Sequence, residues 1–311
     1  MRFRPTAWRP LIALVVALAL LAGIAVWSNV LGVGDKVRDV ARRIELIVDP
    51  PPDRPIDDEV RVTPRPSPTP MPEAQPTPVA SSAPGAPTPA PTASPSPTPS
   101  PTPVPQRVRV DVNLYSRPEA RFITELDKDW CAVAGTQMVL VAHGKAALSE
   151  AFQKKLASRI GEWESRRDSI NGGWGPSSMV RALDAYGVPG YEVRIYETRA
   201  EALRDAARAI SEFNAPVILL TWRGAHTWIM TGYRADGDPL VFDDVKVAGA
   251  YILDPWYPRV SSIWGPSDPP GTYQNGAEMR RNYLPWKRPE GKYPSRDGLF
   301  VAVVPTVRLH R

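Results

Sequence analysis

Covalent catalysis by a side chain needs a nucleophile, a base to take its proton and a third group to hold the base in place, and this chain offers few residues for those roles. Cys131 is the only cysteine in 311 residues. It opens the stretch Cys131-Ala-Val-Ala-Gly-Thr-Gln-Met-Val-Leu140, where Ala134, Met138 and Val141 recur at helical spacing and Val133, Val139 and Leu140 widen the apolar face. Asp129 is placed to cap that helix and Gly144 to stop it. Cys131 then falls in the first turn, where unpaired backbone N–H groups and the helix dipole favour a thiolate. The competing reading is a small buried hydrophobe, the ordinary fate of a lone cysteine.

Of the three histidines, His143 ends the cysteine's own helix twelve residues on, and His310 is the penultimate residue, where chains fray. His226 lies in Trp222-Arg-Gly-Ala-His-Thr-Trp-Ile-Met-Thr-Gly-Tyr233, at the entry to a strand and close behind a glycine. Period-two alternation places Trp228 on the same face. Asp254, in Tyr251-Ile-Leu-Asp-Pro-Trp256, follows an apolar run and would be positioned by a strand end; a plain turn-initiating Asp-Pro is the alternative.

Composition narrows the classes. One cysteine excludes a disulfide framework and a thiolate-rich zinc site, and three histidines argue against a multi-histidine metal site, so no cofactor or metal is expected. The net charge of +5 forms no basic run or stripe, which gives nucleic-acid binding no support. Of the 37 prolines, 21 fall between Pro50 and Pro105, leaving about 205 residues to form one core.

Those counts set the organisation. Residues 1–10 read as a short cytoplasmic tail. Leu11 to Val33 is an uncharged apolar run of 23 residues, long enough at ~1.5 Å per residue for a transmembrane helix; a signal peptide cleaved after Gly23-Ile-Ala25 is the competitor. Residues 34–49 read as a membrane-proximal amphipathic helix, carried by Val37, Val40, Ile44 and Ile47. Residues 50–106 read as a disordered Pro/Thr/Ser-rich linker, which at ~3.1 Å per residue reaches roughly 175 Å when extended. The expected location is the cell membrane, single-pass, with residues 107–311 as an extracytoplasmic domain, or a secreted domain if the first segment is removed.

Within 107–311, Val108, Val110 and Val112 alternate as an edge strand. A helical face runs Leu148, Phe152, Leu156, Ile160, and a short helix starts at Ser177 or Ser178. Thr198-Arg-Ala-Glu201 is a capping box opening a longer helix. Strands follow at Val217 to Trp222, Thr227 to Tyr233, Leu240 to Phe242, Tyr251 to Leu253 and Leu299 to Val304. Helices first and strands after indicate an α+β domain rather than a doubly wound sheet.

Three short motifs carry a resemblance. Trp130-Cys131-x-x-Ala134-x-x-Gln137-Met138-Val139-Leu140 resembles the cysteine helix of papain-like bacterial cysteine peptidases of the C39-like and AvrRpt2 types. Gly224-Ala-His226 followed by Gly232-Tyr233 resembles their histidine strand, and Leu253-Asp-Pro-Trp256 their third segment. The resemblance spans about residues 120–260. It implies a papain-like fold, with the cysteine helix packed on an antiparallel sheet, and a Cys131–His226–Asp254 triad acting on peptide or amide bonds. Such families carry a glutamine six residues before the cysteine to bind the oxyanion; here that position is Glu125, and Ala132 replaces the common glycine after the cysteine. Three readings stand: a peptidase; a weak or inactive module binding peptide or cell-wall glycan; and a peptidoglycan amidase or endopeptidase. Trp174, Trp228 and Trp256 are the expected cleft residues, or else core packing.

Overall fold

Strands such as Val217–Thr221 and Phe300–Pro305 are apolar at nearly every position, as a sheet buried on both faces requires. The computed structural model describes residues 105–165, 168, 174–287 and 296–308, together with 54, 59–62 and scattered positions between 18 and 49. The strands are β1 (Glu59–Arg61), β2 (Val110–Asn113), β3 (Tyr191–Tyr196), β4 (Val217–Thr221), β5 (His226–Ala235), β6 (Val247–Leu253), β7 (Val260–Ser261), β8 (Gly265–Pro266), β9 (Thr272–Asn275) and β10 (Phe300–Pro305). The helices are α1 (Cys131–Ala142), α2 (Glu150–Ala157), α3 (Ile160–Trp163), α4 (Pro176–Ala185), α5 (Arg199–Phe213) and α6 (Gly276–Asn282).

The main sheet runs β1-β3-β10-β4-β5-β6-β9, and β2 pairs with the far half of β5, beyond the end of β4. Every pairing is antiparallel except β1 with β3, so the domain is α+β with a mixed sheet. Alternation sorts the side chains. Val193, Ile195, Ile218, Leu220, Ile229, Val301 and Val303 face α1 and α4, whereas Tyr196, Val217, Leu219, Trp228, Met230, Ala302 and Val304 face α5. The helix α5 opens with the expected capping box at Thr198 and Glu201 and buries Ala202, Leu203, Ala206 and Ile210 against the second face.

Several elements differ from the sequence expectations. The transmembrane helix over 11–33 is not found. Among the described residues no helix is long and apolar enough to cross a membrane, and of that stretch only residues 18, 19, 23 and 24 are described. A span needs about 20 residues in one continuous apolar helix, and an apolar run in the sequence does not by itself supply one. Glu59–Arg61, inside the stretch expected as linker, is a strand on the sheet edge. Leu240 to Phe242 is a turn, because the Asp238 carboxylate accepts the Leu240 N–H at 2.8 Å and its carbonyl accepts the Phe242 N–H at 2.9 Å.

Candidate active site

The helix α1 begins at Cys131, but its N-cap is Trp130 rather than Asp129, whose backbone N–H is turned back to the Asp127 carboxylate. From Ala132 to Ala142 every residue is buried, and the helix lies directly on β5. Gly135 permits that approach: a Cβ there would stand 2.9 Å from the Thr227 methyl and 3.1 Å from Ile229. Strand β5 starts at His226, opposite Thr221 of β4. The link between them is a tight turn in which Trp222, Arg223 and Gly224 all adopt left-handed φ, of 50°, 62° and 79°. A bulky aromatic in that region is strained, at a cost on the order of 1–3 kcal/mol, and the turn sets the point where β5 begins. Gly224 is obligatory here, since its Cβ would lie 2.3 Å from the Trp286 ring.

The segment before the cysteine is fixed by side-chain amides. Gln153 donates to the Thr124 carbonyl at 3.1 Å and accepts the Leu126 N–H at 2.7 Å, and it also donates to Gln137 at 3.3 Å. On the other side, Glu125 N–H donates to the Pro255 carbonyl at 2.9 Å, and the Arg259 guanidinium donates to the Glu125 carbonyl at 2.9 Å. Residues 124–126 are thereby bound to the loop that follows β6, which also carries Asp254.

These constraints bring four side chains together. The Cys131 sulfur, a ring nitrogen of His226 and a carboxylate oxygen of Glu125 all lie within 4.8 Å of one another. His226 Nε2 donates to Asp254 Oδ1 at 2.7 Å, and both side chains are buried. The same Oδ1 accepts the Trp256 N–H at 2.9 Å. With Nε2 committed to Asp254, Nδ1 is the nitrogen left to serve the thiol.

The electrostatics differ from the expectation of a thiolate at rest. Burial pushes the Cys131 thiol up, and the neighbouring Glu125 carboxyl pushes it further; hydrogen bonds from the Thr227 hydroxyl and from backbone N–H groups only partly oppose this. The helix terminus is outweighed by desolvation. Glu125 is pushed up to about 9, first by burial and then by Asp254, Asp129 and Asp127, against the pull of Arg259. Arg259 reaches only Oε1, at 3.2 Å, and Oε2 is buried without a hydrogen-bond partner. At neutral pH Glu125 is therefore a neutral acid with a proton to donate.

Of the three tryptophans expected in the cleft, Trp256 stands at the site, its ring edge-on to His226 at 6.5 Å and its backbone holding Asp254. Trp174 packs against Trp163 at 5.3 Å in the core beneath α1, and Trp228 points into the core beneath α5, so neither lines the cleft. Trp222, which flanks the histidine motif in the sequence, stacks on the His226 ring at 4.1 Å and in turn carries Trp264 at 5.6 Å, with Ile263 exposed beside it. The sequence reading missed Arg259 and Thr227. Alternation from His226 turns Thr227 away from the thiol, yet its hydroxyl bonds Cys131. His143 pairs with Tyr191 at the far end of α1, and His310 lies outside the described residues.

No family model matches the chain, and no curated protein matches it. Among solved structures, a double-glycine motif protease from an AMS/PCAT transporter, determined in complex with the leader peptide, aligns with 60% of this chain and 91% of its own, at 18% sequence identity and a TM-score of 0.30.

Proposed function

We propose that this protein is a thiol hydrolase of peptide or amide bonds. The observation that carries the reading is the convergence of the Cys131 sulfur, the His226 ring and the Glu125 carboxyl within 4.8 Å, with His226 held by Asp254 at 2.7 Å. The thiol attacks the carbonyl carbon as His226 Nδ1 takes its proton, so no free thiolate is needed at rest. Asp254 holds the ring in the tautomer that leaves Nδ1 basic and balances the imidazolium that forms. Negative charge on the carbonyl oxygen is met by the Cys131 N–H, which has no partner within the helix, and by the proton on Glu125. Collapse of the intermediate expels the amine, which takes the proton from His226 and leaves an acyl-enzyme thioester. Water then attacks the thioester with His226 again as base. Trp222 and Trp256 cover the His226–Asp254 hydrogen bond from two directions, which keeps it strong in a dry setting.

The test is hydrolysis of a fluorogenic peptide library by metal-free protein, combined with iodoacetamide labelling of Cys131. Cys131→Ala should abolish turnover, Asp254→Asn should lower it on the order of 10²–10⁴-fold, and His226→Ala should suppress labelling. Turnover that survives Cys131→Ala would end this reading.

A further inference from the structure

We propose that Glu125, Cys131 and His226 also form a binding site for one borderline divalent cation of the zinc type, and that its binding closes the thiol centre. The composition argued against a site built from several cysteines or several histidines, but not against a mixed one. Each of these residues offers a different ligand atom, and the three lie within 4.8 Å of one another. A tetrahedral shell with bonds of roughly 2.0–2.3 Å has edges of about 3.5 Å, so closing around an ion asks for small side-chain rotations.

Three further observations point to a cation. Glu125 Oε2 is buried and has no hydrogen-bond partner, so its capacity to bind a ligand is unused. His226 is oriented by a carboxylate on its other nitrogen, at 2.7 Å from Asp254, which is the arrangement that fixes metal-binding imidazoles. The charges around Glu125 are three acids, Asp127, Asp129 and Asp254, against one base, Arg259. Cys131 as a residue is not fully buried, although its thiol is desolvated. On binding, the protons of Cys131 and Glu125 go to solvent, the sulfur coordinates as thiolate, and His226 gives its free lone pair to the metal. The nucleophile and its base are then both occupied, and the centre cannot turn over.

This inference uses the residues of the proposed hydrolase but does not depend on turnover. The experiment adds Co(II), as a spectroscopic stand-in for Zn(II), to the full chain freed of metal by chelation. One equivalent should give thiolate-to-cobalt charge-transfer absorption and the visible bands of a four-coordinate ion. Cys131→Ser should remove the charge-transfer band, while Glu125→Gln and Asp254→Asn should weaken binding on the order of 10–100-fold. One equivalent of Zn(II) should also block iodoacetamide labelling of Cys131, and EDTA should restore it. Absence of the bands, binding that survives both Cys131→Ser and Glu125→Gln, or labelling unaffected by Zn(II) would each overturn the proposal. Zinc-protected labelling in a protein that hydrolyses no peptide would leave the metal site standing and remove the hydrolase.

Discussion

Replacing Glu125 by Gln tests the charge state on which the oxyanion argument depends. The carboxyl moves from 4.5 in the reference state to about 9 in the fold, mainly through burial. Between those two values the unfolded chain has lost this proton and the folded chain has kept it. Stability therefore falls as pH rises, by about 1.4 kcal/mol per pH unit. At pH 7, two and a half units above 4.5, the carboxyl costs the fold about 3 kcal/mol relative to acid conditions. Glutamine matches the neutral acid in shape, keeps an oxygen for Arg259 and has no proton to lose. Urea unfolding should show the variant more stable by about 3 kcal/mol at pH 7, with the difference vanishing near pH 4.5. Turnover should be similar for both proteins at pH 7. As pH passes about 9, turnover of the native protein alone should fall as Glu125 ionises, toward the ~10²–10³-fold loss typical of a missing oxyanion donor. A native protein as stable as the variant at pH 7, with no pH dependence in the difference, would mean that Glu125 is an ionised partner of Arg259 and would refute the reasoning.

Other perturbations follow from the packing. Gly224→Ala forces a Cβ into the Trp286 ring at a left-handed φ of 79°; it should cost more than ~2 kcal/mol in thermal unfolding and slow the labelling of Cys131 by displacing the start of β5. Arg296→Leu removes the buried guanidinium that bridges Glu59 at 2.6 Å and Asp168 at 2.8 Å, so two acids lose their counter-charge. A loss of about 3–5 kcal/mol is expected in denaturant unfolding; a loss below ~1 would show that water already compensates these acids.

The parts of the site that were legible in the sequence are those set by local chain geometry. Cys131 begins an apolar helix, His226 begins a strand behind a glycine, and Asp254 ends an apolar run before a proline; each has a signature within its own decapeptide. Arg259 had no such mark, because its importance comes from a contact across the fold, to Glu125. The face of Trp228 was misjudged because alternation was counted from His226, the first residue of β5, where the strained turn rather than the strand sets the direction of the side chain. Strand β3 was passed over although Tyr191, Val193 and Ile195 alternate with Glu192 and Arg194, and β9 is too short and polar to stand out. The thiol's charge state was misjudged for a different reason. A helix terminus is visible in a sequence, whereas the depth at which the fold buries it is not.

The docking of β1 changes what the proline-rich stretch can do. Arg54 is bound to Ser165 and to the Gly161 carbonyl, Glu59 to Arg296, and β1 to β3. The chain is next described as it enters β2, on the same sheet. Both ends of the intervening stretch, at β1 and at β2, are thus held on one sheet, and the domain sets the distance between them. A pull from that side would be borne by the short β1–β3 ladder and the Arg296 ion pairs, and only after these gave way would the length of the stretch be released.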